Sequence, residues 1–559
     1  MKRALEYIAV FTTAALFFAF YQFQSQYVDT DGYYHSKIAY VMCEQGFLSN
    51  FKWAHLSTWR AHFSDKEFLY HVYLMPFVWL FKEPMFGAKV ATVMLAAGVA
   101  TSFYAILRIN QIKFAWLWLL LLFFSGGYFL YRVNVARPQV LSIIFVLWSI
   151  HFIINRKLIH LAVLCFLYTY SYTAYHLPVM FATGIYLYQL IFEKENDWKT
   201  PAVTLGAMLA GMLLSPFFPD NARMFFMQNV YIPWMAGGSG LNLHMGGEFG
   251  PMDTRSAVLV NTAVILSFIA AFFTALHSPV KWDRKTISIF LVSLLLILFT
   301  ALSKRFAEYS VPVTLLFCAF FFSPYLEKLQ MIQDLRKGMF IGAAGVLILI
   351  ALAVNSYNST VGEFRGLGAP SMESCAKYLL EHTEDDELVY TGDWDDAPEL
   401  FYFNHKNRYL VFLDPNFMYY WNEEVWKQWD ALSNGRLGDK TYNALKDDFK
   451  VRYGVATNNF QDLRRIIERD ERMDIVHEGN GAFVFKLDEN APASPVSDFK
   501  PPALDEVIQF FIQEKNFSLK EATEKATRFY DFFEPKGWML GADRMSDWKY
   551  EAERSVTWE

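Results

Sequence analysis

The sequence predicts a polytopic α-helical membrane protein, with about eleven transmembrane helices, that carries an extracytoplasmic α/β domain at its C-terminal side. Three observations predict it. The chain is 54% apolar and 18% aromatic, with 54 Phe, 31 Tyr and 16 Trp among 559 residues. Long apolar runs separated by short polar loops fill residues 5–354. Residues 355–559 are charged and mixed, as a water-exposed domain would be. The division read from this is a membrane domain over 1–354, an outer α/β domain over 355–490, and a linker with a helical tail over 491–559.

Lys2 and Arg3 precede an apolar run from Leu5 to Phe20. The shape is that of a signal peptide, but Tyr21-Gln22-Phe23-Gln24 offers no small-residue cleavage site. The run reads as a retained first span with its N-terminus in the cytoplasm. Further spans are expected near 86–107, 114–131, 138–154, 158–175, 177–192, 201–217, 257–277, 285–302, 306–323 and 338–354. The apolar stretch His71–Phe81 is too short to cross a bilayer, which takes about 20 residues. Reading 68–82 as re-entrant or interfacial gathers Lys2, Arg3, Arg108, Lys113, Arg156, Lys157, Lys194, Lys199, Lys281, Arg284, Lys285, Lys328, Arg336 and Lys337 on the cytoplasmic side, as the positive-inside bias requires. A long first loop (25–85), a Gly-rich loop (218–256) and the C-terminal domain then lie outside.

This orientation collects Asp29, Asp31, His35, Asp65, Lys66, His71, Arg132, Arg137, His176, Asp220, Arg223, His244, Glu248, Asp253, Arg255, Lys304, Arg305, Glu308 and Tyr309 at outer helix ends. Ionisable groups at membrane depth are costly and mark function. The densest group is Asp29-Thr30-Asp31-Gly32-Tyr33-Tyr34-His35, where the first apolar run ends. One of its two carboxylates can be an N-cap for a helix over 33–45; capping does not account for both. The net charge of −6 gives no sign of a nucleic-acid partner.

An acidic residue, then x-Asp-Gly and two aromatics at the end of a first span resembles the first-loop signature of GT-C membrane glycosyltransferases, oligosaccharyltransferase catalytic subunits above all. The resemblance implies a helical bundle with a long first outer loop, often followed by an extracytoplasmic domain. It implies inverting transfer of a sugar from a polyprenyl-phosphate-linked donor to an acceptor glycan, lipid or protein at the outer membrane face, in a bacterial inner membrane for a chain of this kind. It places Asp31 at the catalytic centre, as base or acceptor-polarising group. Asp29 takes the upstream position, and the two would hold a divalent cation, magnesium or manganese. By the same resemblance Glu248, in Gly246-Gly247-Glu248-Phe249-Gly250, is a candidate second acid in a mobile lid loop; the alternative is a flexible polar loop with no catalytic part. Arg305 and Lys304 would hold the donor phosphate, with Arg137 as a further candidate; Tyr34, His35 and Tyr309 complete the substrate-binding set. Snorkelling to the interface is the alternative for the basic residues, and Glu308 can neutralise Arg305 along the helix.

The chain also departs from the family. The second outer loop, Tyr131-Arg132-Val133-Asn134-Val135-Ala136-Arg137, carries no acid, and Gly392-Asp393-Trp394-Asp395-Asp396 only echoes the acceptor-reading Trp-Trp-Asp motif. A metal-independent enzyme with Asp31 as base is therefore equally consistent. The rival within this class is an oligosaccharyltransferase that transfers a whole glycan to protein; the rival from another class is a lipid-linked sugar transporter or flippase. A flippase calls for polar groups at mid-membrane and internal repeats, and neither is apparent.

Cys43, Cys165, Cys318 and Cys375 have no metal-ligand spacing and read as free thiols. In the outer domain, Leu388–Tyr390, Arg408–Phe412, Val451–Ala456 and Ala482–Leu487 read as strands. Met372–His382, Trp421–Leu432 and Gln461–Arg469 read as helices, and a charged helical tail follows at 504–535.

Overall fold

The structure is a computed structural model. It describes residues 2–23, 27, 29–232, 247–277, 282–329, 335–365, 371–491, 501–515, 517–536, 538–540, 543–545 and 548–556. The chain divides into two compact units. The first comprises Met1–Ala369 together with Trp394–His405 and Phe412–Trp421; the second comprises Pro370–Asp393, Lys406–Val411 and Asn422–Glu559. The boundary expected at 354 falls inside the helix Leu335–Arg365.

In the first unit, five helices among the described residues are long and apolar enough to cross a membrane: Arg3–Gln22, Pro84–Ile109, Arg284–Leu302, Lys304–Glu327 and Gly342–Phe364. Shorter apolar helices lie at Phe68–Phe81, Gln139–Ile154, Leu158–Tyr168, Leu177–Glu193 and Thr262–His277. Length and composition alone thus support fewer spans than the eleven expected. The span expected over 114–131 is broken. Ala115–Phe123 and Gly127–Asn134 meet at 85°, hinged where Gly126 adopts φ 134°, a conformation that glycine tolerates and other residues rarely adopt. Gly127 is itself required by space: a Cβ there would lie 2.4 Å from the Ser359 carbonyl carbon of the helix Leu335–Arg365. Its amide N–H donates to Ser359 Oγ at 3.0 Å. This contact fixes the short helix that carries Arg132.

The long first loop is built, not loose. It contains the helices Asp31–Gln45 and Phe68–Phe81 and an aromatic core of its own. Phe51, Trp53 and Trp59 are fully buried. Phe51 meets Trp59 edge-on at 5.2 Å between centroids and Phe412 at 5.1 Å, and Trp53 meets Phe401 at 4.9 Å. Each such pair adds about 0.5–1.5 kcal/mol beyond its buried area. Phe68–Phe81 begins beside Asp65, against His35, and ends next to Glu83, the N-cap of Pro84–Ile109. The carbonyl of Met85 there accepts from Tyr27 Oη at 3.4 Å, two residues before Asp29.

The second unit holds a five-stranded sheet: β1 (Leu388–Thr391), β2 (Arg408–Tyr409), β3 (Tyr453–Thr457), β4 (Met473–Gly479) and β5 (Ala482–Leu487), in the order β2-β1-β3-β5-β4. β1 runs parallel to β2 and β3; β5 runs antiparallel to β3 and β4. Helices Glu373–His382, Glu423–Ser433 and Gln461–Arg469 fall where the sequence placed them. β4 was not anticipated: it is an edge strand with Asp474 and Glu478 exposed, so its apolar signal is weak. Helices Leu504–Lys515 and Leu519–Phe533 form the tail, with Val507, Phe511, Phe529 and Phe533 in a small separate core.

Candidate functional site: a carboxylate–arginine cluster

The helix Asp31–Gln45 opens the site. Its N-cap position is Thr30, whose side chain makes no cap. Asp29 does part of that work, accepting the Asp31 amide N–H on Oδ1 at 3.0 Å. Asp31 occupies the first turn, where the helix dipole favours a carboxylate, and its side chain is free to face a partner. Gly32 is helical and not in a turn, as its place in the motif suggested. A Cβ there would lie 2.8 Å from the Tyr27 ring, so glycine lets that buried ring close under the helix start.

Arg137 is the hub. Its Nε donates to Asp29 Oδ1 at 2.6 Å, its Nη2 lies 3.0 Å from Asp31 Oδ2, and its Nη1 lies 3.4 Å from Glu248. Val135 O accepts the Arg137 amide N–H at 2.8 Å, and Pro138 then starts the helix Gln139–Ile154. Arg137 is thereby held in a tight turn. Glu248 also accepts from Arg132 Nη1 at 2.5 Å, while Arg132 Nε donates to Glu308 at 2.9 Å. Arg132 and Glu308 are fully buried. The expectation that Glu308 neutralises Arg305 is not met. Arg305 lies in a 3₁₀ turn, Lys304–Phe306, before the helix that begins at Ala307, and this turn leaves Glu308 facing Arg132.

Arg305 instead donates through Nη2 to Tyr172 Oη at 2.5 Å and lies 4.7 Å above the Phe249 ring. Its amide N–H reaches the Glu248 carbonyl at 3.3 Å, and that of Lys304 reaches Gly250 O at 3.0 Å. The segment 248–250 is thus laid along the start of the helix. Lys304 Nζ lies 5.8 Å from the Tyr128 ring centroid. The stretch 233–246, with His244 and most of the glycines behind the lid expectation, lies outside the described residues.

Burial pushes the Asp31 carboxyl up, against the pull of Arg137, and the carboxylates of Asp29, Asp395 and Glu248 add to the rise; the result is about 7. Burial also disfavours ionised Glu248, but Arg132, Arg137 and Arg305 outweigh it and hold that carboxyl well below the usual range. Two acids in one cluster are thus driven apart, the pattern that assigns distinct protonation roles. Asp395, which accepts from Thr30 Oγ1 at 2.5 Å, was not selected from sequence; the acidic run around Trp394 was its only signal.

Other expected residues are inside. Tyr34, His35 and Tyr309 are buried. Tyr34 Oη has no hydrogen-bond partner among the described residues. Tyr309 Oη shares a hydrogen bond with Ser142 Oγ at 2.7 Å. His35 Nδ1 and His71 Nε2 are 2.8 Å apart, and His71 Nδ1 is 2.8 Å from Asp65 Oδ2. Asp65 as acceptor sets the tautomers: His71 donates to Asp65, and His35 donates to His71. Burial holds His35 neutral, well below the usual histidine range. This chain joins the helices Asp31–Gln45 and Phe68–Phe81 one turn after Asp31.

The expected cation does not fit this donor set. The facing oxygens of Asp29 and Asp31 are already occupied by Arg137, and no group of three His, Cys, Asp or Glu side chains is placed to hold a metal among the described residues.

No protein-family model matches the sequence, and no curated protein matches it in sequence. In fold it is similar to three solved structures. The chain is similar to the archaeal oligosaccharyltransferase AglB from Archaeoglobus fulgidus in complex with an inhibitory peptide and a dolichol-phosphate (TM-score 0.61, 12% identity, 88% of this chain and 76% of that one). It is similar to an A. fulgidus oligosaccharyltransferase in complex with Zn and sulfate (0.58, 12%, 98% and 86%). It is similar also to ArnT from Cupriavidus metallidurans bound to undecaprenyl phosphate (0.54, 13%, 86% and 98%). At these identities the likeness is one of fold.

Proposed function

We propose that the protein is a membrane glycosyltransferase that moves a sugar from a polyprenyl-phosphate-linked donor to an acceptor at the outer membrane face, with Asp31 as the base. The observation that carries this reading is the position of Asp31: first turn of an outer-loop helix, bound to Arg137, with a carboxyl that changes charge near neutral pH. A general base works best with a pKa close to the operating pH. The acceptor atom attacks the anomeric carbon as the carbon–oxygen bond to the phosphate breaks. The phosphate leaves with the bonding pair, the acceptor proton passes to Asp31, and the configuration inverts. Arg305 and Lys304 receive the donor phosphate, while Glu248 fixes the arginines beside it. The lipid phosphates in the AglB and ArnT structures support a donor of this class.

Asp31→Asn in purified, folded protein is expected to lower transfer by about 10²–10⁴-fold; undiminished transfer refutes the assignment. A second reading, transfer of a whole glycan to protein, is supported by the likeness to AglB with its bound peptide. Intact-mass analysis separates the two. A mass shift on a partner protein supports protein glycosylation, and a modified lipid or polysaccharide supports the first reading.

A further inference from the structure

We infer that Arg137 is the resident cation of this site, standing where a divalent ion would otherwise be held between Asp29, Asp31 and Glu248. The inference rests on the glycosyltransferase reading for its meaning, but not for its test. Each of the three guanidinium nitrogens faces a different carboxylate: Nε faces Asp29 at 2.6 Å, Nη2 faces Asp31 at 3.0 Å and Nη1 faces Glu248 at 3.4 Å. These acids come from two outer loops far apart in sequence, and the arginine comes from a third. That third loop, 131–137, contains no carboxylate. It therefore supplies a positive charge to the other two loops rather than a further metal ligand.

A guanidinium has fixed donors and keeps its charge at all working pH values. It needs no loading and cannot be removed by a chelator. Its location is also built in: the Val135–Arg137 turn and the following Pro138 hold the backbone, and the side chain is only 16% exposed. A dication placed between Asp29 and Asp31 would meet this charge at contact distance. Binding it would require Arg137 to leave three partners in a poorly solvated setting, where unpaired charges are expensive.

The test is metal binding to the full-length detergent-solubilised protein, read by Mn²⁺ electron paramagnetic resonance and by thermal midpoint. The wild-type protein is expected to bind no stoichiometric Mn²⁺ and to show the same midpoint with EDTA as with Mn²⁺ or Mg²⁺. Arg137→Gln leaves the three carboxylates without their cation. It is expected to have a lower midpoint, to bind about one Mn²⁺ and to regain about 3 °C or more with Mn²⁺ in large excess over its Kd. Adding Asp31→Asn to Arg137→Gln is expected to abolish that binding. Stoichiometric Mn²⁺ on the wild type that is lost in Asp29→Asn or Asp31→Asn overturns the inference. So does a folded Arg137→Gln protein that gains no Mn²⁺. If Arg137→Gln does not fold, the wild-type measurement decides alone. None of these readouts uses glycosyl transfer, so a failed transfer assay and a failed metal prediction remain distinct results.

Discussion

Asp29 and Asp31 stand two residues apart and do different work. Asp29 serves the backbone, accepting the Asp31 amide N–H, and anchors Arg137. Asp31 faces Arg137, Asp29, Asp395 and Glu248, and its carboxyl rises to about 7, above the roughly 3.9 of an unfolded aspartate. The sign follows: folding favours the protonated form. The stability contributed by Asp31 is complete below about pH 4 and is lost as pH rises through about 7. The carboxylate needed as base forms at the upper end of that interval, around pH 7. Transfer is therefore expected to rise with an apparent midpoint near pH 7 while the Asp31-dependent part of thermal stability declines. Parallel pH series of initial rates and thermal midpoints check this, and Asp31→Asn is expected to remove the decline. The acidic pair was legible because two carboxylates, a glycine and two aromatics stand next to one another in sequence. That the Asp31 carboxyl rises was not legible, because that depends on its burial and on Arg137, Asp395 and Glu248.

Among the elements, the short helix Gly127–Asn134 bears most on the site. It presents Arg132 to Glu308 and Glu248 with almost no exposure of the arginine. Removing one member of a buried pair leaves an uncompensated charge, at about 3–5 kcal/mol. Because Arg132 keeps Glu248 as a partner, Glu308→Ala is expected to destabilise by less than that, about 1–3 kcal/mol in chemical or thermal unfolding. Gly127→Ala is expected to cost about 1–3 kcal/mol, because the added carbon meets the backbone of Ser359 and Thr360 and not a movable side chain. Hydropathy predicted one continuous span here. An average over apolar residues does not register the 85° break, which rests on one glycine conformation. β4 escaped for a related reason: an edge strand buries one face at most, so Asp474, His477 and Glu478 hide its alternation.

Across the molecule, two sets of loops meet. Arg156 pairs with Asp197 at 3.0 Å. Arg284 pairs with Glu195, Arg108 with Glu6 at 3.0 Å, and Lys113 with Glu327 at 3.2 Å. All of these lie in loops or at the helix ends beside them that charge bias assigns to the cytoplasm. Asp29, Asp31, Arg132, Arg137, Tyr172, Glu248 and Arg305 meet in the other set. The proposed orientation has a direct check in cysteine labelling from outside with an impermeant maleimide. Glu384→Cys is expected to react on intact cells and Lys157→Cys only after permeabilisation; both positions are exposed. The sequence by itself determined the membrane class and the strip of polar residues near helix ends, because hydropathy is a sum over local composition. Only the tertiary structure decided that Glu308 answers Arg132 and not Arg305, that Tyr34, His35 and Tyr309 are buried, and that an arginine fills the space between the acids. Those outcomes depend on turns and helix ends that bring residues more than a hundred positions apart within hydrogen-bonding distance, and no local pattern encodes that approach.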